Sequence, residues 1–431
     1  MTNQHQHKFN DDLLEFLDKS PTPFHAVSTM IEQLEKNGFQ ALNERDVWGE
    51  LPAACYYVTR NDSSIIAFTL PDSDLAESGF NMVGAHTDSP CLKVKPQPEQ
   101  NTESLFQLGV EVYGGALLNP WFDRDLSLAG RVTYLDSQQQ LQHTRVDFKK
   151  AVATIPSLAI HLDRDANKNR TINAQTHLPP LVLQVKEGAS YDFRTILQEQ
   201  LIADSPMLDI VSVVDYEISL YDTQKPAIVG LNDDFISSAR LDNLLSCYIG
   251  LTALINGDNT RANLLVCSDH EEVGSVSTSG AQGSFLESVL VRLSLNNQHY
   301  HRMLQSSMMI SADNAHAIHP NYAEKHDEQH GPKLNHGPVI KTNANQRYAS
   351  NSVTSSVFRQ LCIRDNVPVQ DFVVRTDMGC GSTIGPIIAS TLGVKTVDIG
   401  VPTLAMHSIR ELAGSQDAYM LNTVLTQFYK K

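Results

Sequence analysis

Leu264 to Cys267 is a run of four apolar residues, too short for a helix, and it leads directly into Asp269, His270, Glu271 and Glu272. A short apolar run bounded by polar residues reads as a strand buried between helices, which requires an α/β fold. In open α/β sheets ligands bind at the carboxyl ends of strands, so the acidic cluster marks a candidate site. Of two adjacent glutamates there, one can bind a cation while the other accepts a proton from water held by that cation. An isolated Glu-Glu pair is more often a solvated turn. The functional reading therefore depends on matching ligands elsewhere in the chain.

The rest of the chain follows the same alternation. Leu13 to Leu17 and Pro23 to Asn37 read as helices, the second with Pro23 near its start and Gly38 as its stop. Ser64 to Leu70 and Asn81 to Ala85 read as strands, and the second delivers His86. From about Lys93 to Gly230 the runs LFQLGVEVYGG, GRVTYLD, PPLVLQV and DIVSVVDYEISLYD are β-rich and separated by Gly, Pro and polar clusters. Helix and strand patterns then resume, with helices at Ala239–Ile255, Phe285–Leu295, Ser352–Ile363 and Asp417–Tyr429, and strands at Asn263–Ser268, Met308–Ala312 and Lys395–Ile399. The expected architecture is a mixed, largely parallel sheet covered by helices on both faces, formed by residues 1–92 and 231–431. A β-rich domain, residues 93–230, is inserted into it.

Composition narrows the function classes. At 431 residues the chain exceeds one ordinary core, which favours two domains. The net charge of −16 disfavours nucleic acid and anionic membrane as partners, because both require basic patches. Six scattered cysteines without CxxC spacing point to reduced thiols, not disulfides or a thiolate zinc site. The start MTNQHQHKFNDD has no apolar core of the signal-peptide type, so the expectation is cytoplasmic residence.

Four further stretches place a ligand type where a strand stops or a helix starts: MVGAHTDSP with His86 and Asp88, SSARLDNLLSC with Asp242, MMISADNAHAIHPNY with Asp313, and LAMHSIRE with His407. Asp88, two residues beyond His86 and on the same side of an extended chain, can accept its second ring N–H. Asp242 alone reads better as a helix-start carboxylate facing the dipole. Taken together, His86, Asp242, Glu272, Asp313 and His407 are nitrogen and oxygen ligands of the kind Zn2+ accepts, and five suggest two metals sharing a carboxylate. Glu271 is left over as the base. The histidine-dense stretch with His316, His319, His326, His330 and His336 reads as a solvent loop.

With these residues assembled, the chain resembles the aspartyl aminopeptidases, di-zinc metallopeptidases. The likeness runs through FLDKSPTPFHAV, VGAHTDSP, VYGGALLNPWFDRDLSLAGRV, IPSLAIHLDR, RLDNLLSC, DHEEVGS, SADNAHAIHPNY, IKTNANQRYASN, CGSTIGPI and LAMHSIRE. It implies one metal on His86, Asp242 and Asp313 and a second on Asp242, Glu272 and His407, with Glu271 as base and Asp88 orienting the histidine. It also implies removal of N-terminal Asp or Glu from short peptides, with Lys341 meeting the acidic side chain; Arg347 is the other candidate. His161, in the inserted region, would reach a neighbouring subunit's site in a homo-oligomer built from dimers, up to a tetrahedral dodecamer. The stretch TDMGC, Thr376 to Cys380, is where the likeness is weakest. Ligands of this type do not separate Zn2+ from Mn2+ or Co2+. Competing readings are a neutral-residue aminopeptidase, an N-acyl amino acid hydrolase, and a catalytically silent assembly or cargo protein.

Overall fold

The computed structural model describes residues 2–258 and 260–430. The chain divides into two compact units, Met1–Ser89 with Pro226–Met406 and Glu411–Lys431, and Pro90–Lys225 with His407–Arg410.

The first unit is built on a nine-stranded mixed sheet. Its strand order is Gln40–Ala41, Cys55–Arg60, Ser64–Thr69, Ala262–Ser268, Phe80–His86, Met308–Ala312, Lys395–Gly400, Val339–Lys341 and Gln370–Phe372. The four strands from Ala262–Ser268 to Lys395–Gly400 run parallel. Every residue of ANLLVCS is buried, as expected of a strand covered on both faces.

Side chains alternate between the two covered faces with the period of a strand. Val83, Ala85, Leu265 and Cys267 pack on one face with residues of the helices Thr2–Asp18, Pro23–Lys36, Leu241–Ile255, Ser352–Arg364 and Asp417–Phe428. Phe80, Met82, Leu264 and Val266 pack on the other with Phe285–Arg292, Asn297–Ser306 and Ile384–Leu392. The register pairs His86 with Ser268, which brings the end of one strand level with the start of the acidic cluster. A second, five-stranded sheet in this unit runs Ala227–Val229, Phe235–Ser238, Glu411–Gly414, Pro402–Leu404 and Ala315–His316.

Some local expectations need correction. The first helix spans Thr2–Asp18, not Leu13 to Leu17 alone, because Phe9, Leu13, Phe16 and Leu17 form one buried face. Asn297–Ser306 is a helix that the sequence reading leaves as loop; Asn296 caps it by accepting from the His299 amide, and only Tyr300, Met303 and Leu304 are buried. The helix containing Asp242 spans Leu241–Ile255, yet Asp242 and Asn243 themselves have non-helical backbone angles. Asp242 is thus not a helix-dipole carboxylate.

The second unit is a six-stranded antiparallel sheet ordered Leu141–Asp147, Leu126–Leu135, Ser212–Asp222, Cys91–Thr102, Leu105–Tyr113 and Leu181–Gln184. The helix Phe193–Asp204 buries Phe193, Leu197 and Leu201 in that unit's core. Among the described residues no helix is long and apolar enough to cross a membrane.

Candidate metal centre

The parallel strands deliver the first unit's ligand types to one edge of the sheet. His86 ends Phe80–His86, Asp269 follows Ala262–Ser268, and Asp313 follows Met308–Ala312. His86 is 1% exposed. Its Nδ1 lies 3.0 Å from the Asp88 main-chain carbonyl and 3.4 Å from Asp88 Oδ1. A proton on Nδ1 therefore has an acceptor, which assigns the tautomer and leaves a lone pair on Nε2. Nε2 faces Asp242 Oδ1 and Asp313 Oδ1, each at 3.5 Å, and Glu271 Oε2 at 3.9 Å.

The Asp88 carboxylate has a further engagement. It accepts the amide N–H of Glu271 at 3.0 Å and that of Glu272 at 3.1 Å. Asp88 thus holds the glutamate turn with its carboxylate and approaches the histidine most closely with its carbonyl. The turn itself needs left-handed backbone at His270 and Gly274, and glycine adopts that conformation without steric cost. Asp242 is fixed through its backbone: its N–H donates to Glu411 Oε2 at 2.9 Å, and Ser89 Oγ donates to its carbonyl at 2.6 Å.

These groups crowd like charges into a buried space. Burial, followed by the nearby Asp242 charge, pushes the Glu272 carboxyl up to about 11. Burial also raises Glu271, to about 7; His86 opposes that rise and the Asp313 and Asp242 charges add to it. Burial alone would lower His86, but bonds to Asp242, Asp313 and Asp88 outweigh it and hold the imidazole well above its ordinary value. Protons here take the place of positive charge that the acids require. Ligand atoms of His86, Asp242 and Asp313 lie within 4.8 Å of one another, as do those of His86, Glu271 and Glu272. A divalent cation fits this set, since imidazole and carboxylate are ordinary zinc donors. Both glutamates approach His86, so geometry alone does not separate ligand from base.

Lys341, the last residue of Val339–Lys341, is 2% exposed and not a surface lysine. Its Nζ donates to the Asn314 carbonyl at 3.1 Å and to Asp313 Oδ2 at 3.4 Å, and stands 5.2 Å from the Tyr348 ring centre. Arg347 is exposed, and its Nε donates to the Gly381 carbonyl at 3.3 Å. His161 is exposed in the second unit. His407 falls in the segment His407–Arg410 of that same unit, in left-handed backbone, with Nδ1 3.2 Å from the Gly115 carbonyl.

A cavity of about 310 Å³ in the first unit is lined by His316, His319, Lys325, His326, Tyr348, Phe372, Arg375 and Cys380, among others. This corrects the solvent-loop reading of the histidine-dense stretch for His316, His319 and His326. The His316 and His326 rings stand 5.9 and 6.4 Å from that of Phe372. Reading outward from Asp313 would have found His316, which is three residues on in extended chain.

Comparison with known proteins gives the family. The family described as aminopeptidase I zinc metalloprotease (M18) matches residues 16–429. A probable M18 family aminopeptidase 2 of Pseudomonas entomophila (strain L48) is 60% identical over 421 residues, covering 98% of each chain. The fold is similar to Ape4 in its complex with Nbr1, with TM-score 0.95 and 37% identity over 99% of this chain and 86% of that one. The mApe1 dodecamer of Saccharomyces cerevisiae superposes with TM-score 0.86 and 28% identity, covering 99% and 97% of the two chains. The residues gathered at the sheet's edge and the match along almost the whole sequence lead to one conclusion: the chain belongs to the M18 family of zinc metalloproteases and is an aminopeptidase.

Proposed function

We propose that the chain removes an N-terminal Asp or Glu from short peptides, using two divalent ions, most simply Zn2+. The observation that carries the acidic preference is the cavity lining. Among the described residues it contains Lys325, Arg375 and three imidazoles, His316, His319 and His326, and no carboxylate, in a chain whose net charge is −16; burial holds His316 and His326 below their ordinary values, so these two offer neutral N–H donors. Lys341 is buried beside the Tyr348 wall of that cavity. A recess that offers N–H donors and no competing carboxylate, with Lys325 at its edge and Lys341 beside it, would favour a carboxylate side chain over an apolar one.

On this reading His86, Asp242 and Asp313 would hold one ion, and Asp242, Glu272 and His407 would hold the other. Bound metal would supply Lewis-acid polarisation of the scissile carbonyl and a more acidic water. Glu271 accepts the proton of the attacking water and returns it to the leaving amine. Asp88 keeps Glu271 in reach by holding its amide, and the Asp88 carbonyl keeps the His86 lone pair aimed at the ion. His161 of a neighbouring copy donates to the developing oxyanion. Residues 93–230 serve subunit pairing; Leu158, Ile160 and Leu162, which flank His161, are 60%, 48% and 75% exposed, an apolar strip that pairing would cover. A closed assembly like the mApe1 dodecamer would admit peptides and exclude folded proteins, in keeping with a cytoplasmic peptide-clearing enzyme.

The apolar part of the same lining, including Phe372, Val374, Met378 and Leu404, favours a second reading in which neutral residues are removed. Release rates of N-terminal Asp, Glu, Leu and Lys from matched peptides decide between them, measured before chelation, after it, and after Zn2+ is restored. Metal-restored release confined to Asp and Glu, lost for those residues in Lys341→Met, supports the acidic reading. Metal-dependent release of Leu in preference would sink it, and no metal-restored release of any of the four residues would sink both readings.

A further inference from the structure

Asp398 lies within the core strand Lys395–Gly400, is 0% exposed, and has no role in the chemistry above. Its carboxylate accepts from two separate chain segments. Oδ2 takes the amide N–H of Ala349 at 2.6 Å, and Oδ1 takes the Thr383 hydroxyl at 2.6 Å. Its own N–H donates to Ser350 Oγ at 2.9 Å. Ala349 follows Tyr348, and Thr383 closely follows Cys380 and Gly381, so the two segments adjoin and both border the cavity.

The sequence makes room for this clasp. A Cβ at Gly385 would overlap both Asp398 oxygens, so only glycine lets the helix Ile384–Leu392 begin that close. Thr383 caps the same helix by accepting from the Gly385 amide at 3.3 Å. One step along from the Ile340–Ile399 pair, antiparallel register sets Lys341 beside Asp398. A second tie lies at the exposed end, where Arg347 Nε donates to the Gly381 carbonyl and Ser382 Oγ donates to the Arg347 carbonyl at 3.2 Å.

We infer that Asp398 is a positioning residue for substrate selection: it pins two adjoining segments of the cavity lining to the core sheet and thereby fixes where Tyr348 and Cys380 stand against the peptide's first side chain. The inference rests on the cavity receiving that side chain, as proposed above. A buried carboxylate with two donors cannot be replaced by an amide without reversing one bond, because asparagine offers one acceptor and one donor. Misplaced walls weaken substrate positioning without touching the metal ligands.

The test compares Asp398→Asn, Thr383→Val, Thr383→Ser and the double variant carrying both D398N and T383V. The readouts are kcat and KM for N-terminal Asp, Glu and Leu peptides, and zinc content. D398N and T383V are expected to raise KM for the preferred peptide about tenfold with kcat within about twofold. T383S, which keeps the hydroxyl, is expected to retain the native KM. The double variant should be no worse than the weaker single one, because both remove the same clasp. Equal losses for all peptides, loss of zinc, an unchanged KM or additive effects would each overturn the inference. Should the unaltered protein prefer Leu, the acidic reading fails separately, and the role of Asp398 is judged on the KM for Leu.

Discussion

Glu271 and Glu272 are neighbours in sequence and both face His86, yet their proposed duties differ, and substitution separates them. Glu271→Gln is expected to retain zinc and lower kcat by about 10²- to 10⁴-fold, the usual contribution of a general base. Glu272→Gln should instead lower zinc content at matched free Zn2+, since it removes a ligand. Metal analysis of the two purified variants, together with kcat, checks the assignment, and the opposite pattern would exchange the roles. Asp88→Asn is expected to cost about 10- to 100-fold in activity or metal affinity. Its amide can accept only one of the two N–H groups at 3.0 and 3.1 Å. The grouping of His86, Asp242, Asp313, Glu271 and Glu272 was legible because His86, Asp313 and the glutamates stand where an apolar strand stops and Asp242 where an apolar helix starts. The burial of Lys341 and the cavity around His316 were not, since both arise from strands distant in sequence packing side by side.

At the scale of elements, the helix Asp417–Phe428 starts with a buried carboxylate that serves structure. Asp417 accepts the Asn335 and Gly337 amides at 2.6 and 2.8 Å, joining a loop to the helix. Burial pushes its carboxyl from 3.8 up to about 6, more than those amide bonds lower it. A carboxyl raised in the folded state contributes stability that is fully present below 3.8 and lost as pH rises through about 6. The difference in unfolding free energy between the native chain and Asp417→Asn, measured by urea titration, should therefore shift in favour of the variant as pH rises from 4 to 7, by about 1 to 3 kcal/mol. A difference independent of pH would show that Asp417 titrates normally. The strands that were legible, such as Ala262–Ser268, carry their own apolar signal. Asn297–Ser306 was missed because its helix is held by a cap and three buried side chains amid polar residues. The five-stranded sheet was missed because its short strands pair across long sequence separations.

At the scale of the whole molecule, the open question is whether one chain suffices for catalysis. His161 is exposed in the second unit and surrounded by exposed Leu158, Ile160 and Leu162; a lone apolar strip of this kind is unfavourable in water unless another surface covers it. If His161 acts in a neighbour's site, then His161→Ala and Glu271→Gln damage different sites of a mixed pair. In a pair holding one chain of each, the H161A chain keeps its own base and receives an intact histidine from its partner. The other site has neither. Random mixing after dissociation makes half of all pairs mixed, with one sound site in two, so activity should return to about a quarter of the native value. Each variant alone should be nearly inactive. The measurement is peptide release by the two purified variants, mixed in equal amounts before and after reversible dissociation. Recovery that requires dissociation supports action between subunits. Full activity of H161A alone would remove the histidine from the mechanism, and a mixture no better than its parts would confine catalysis to the single chain.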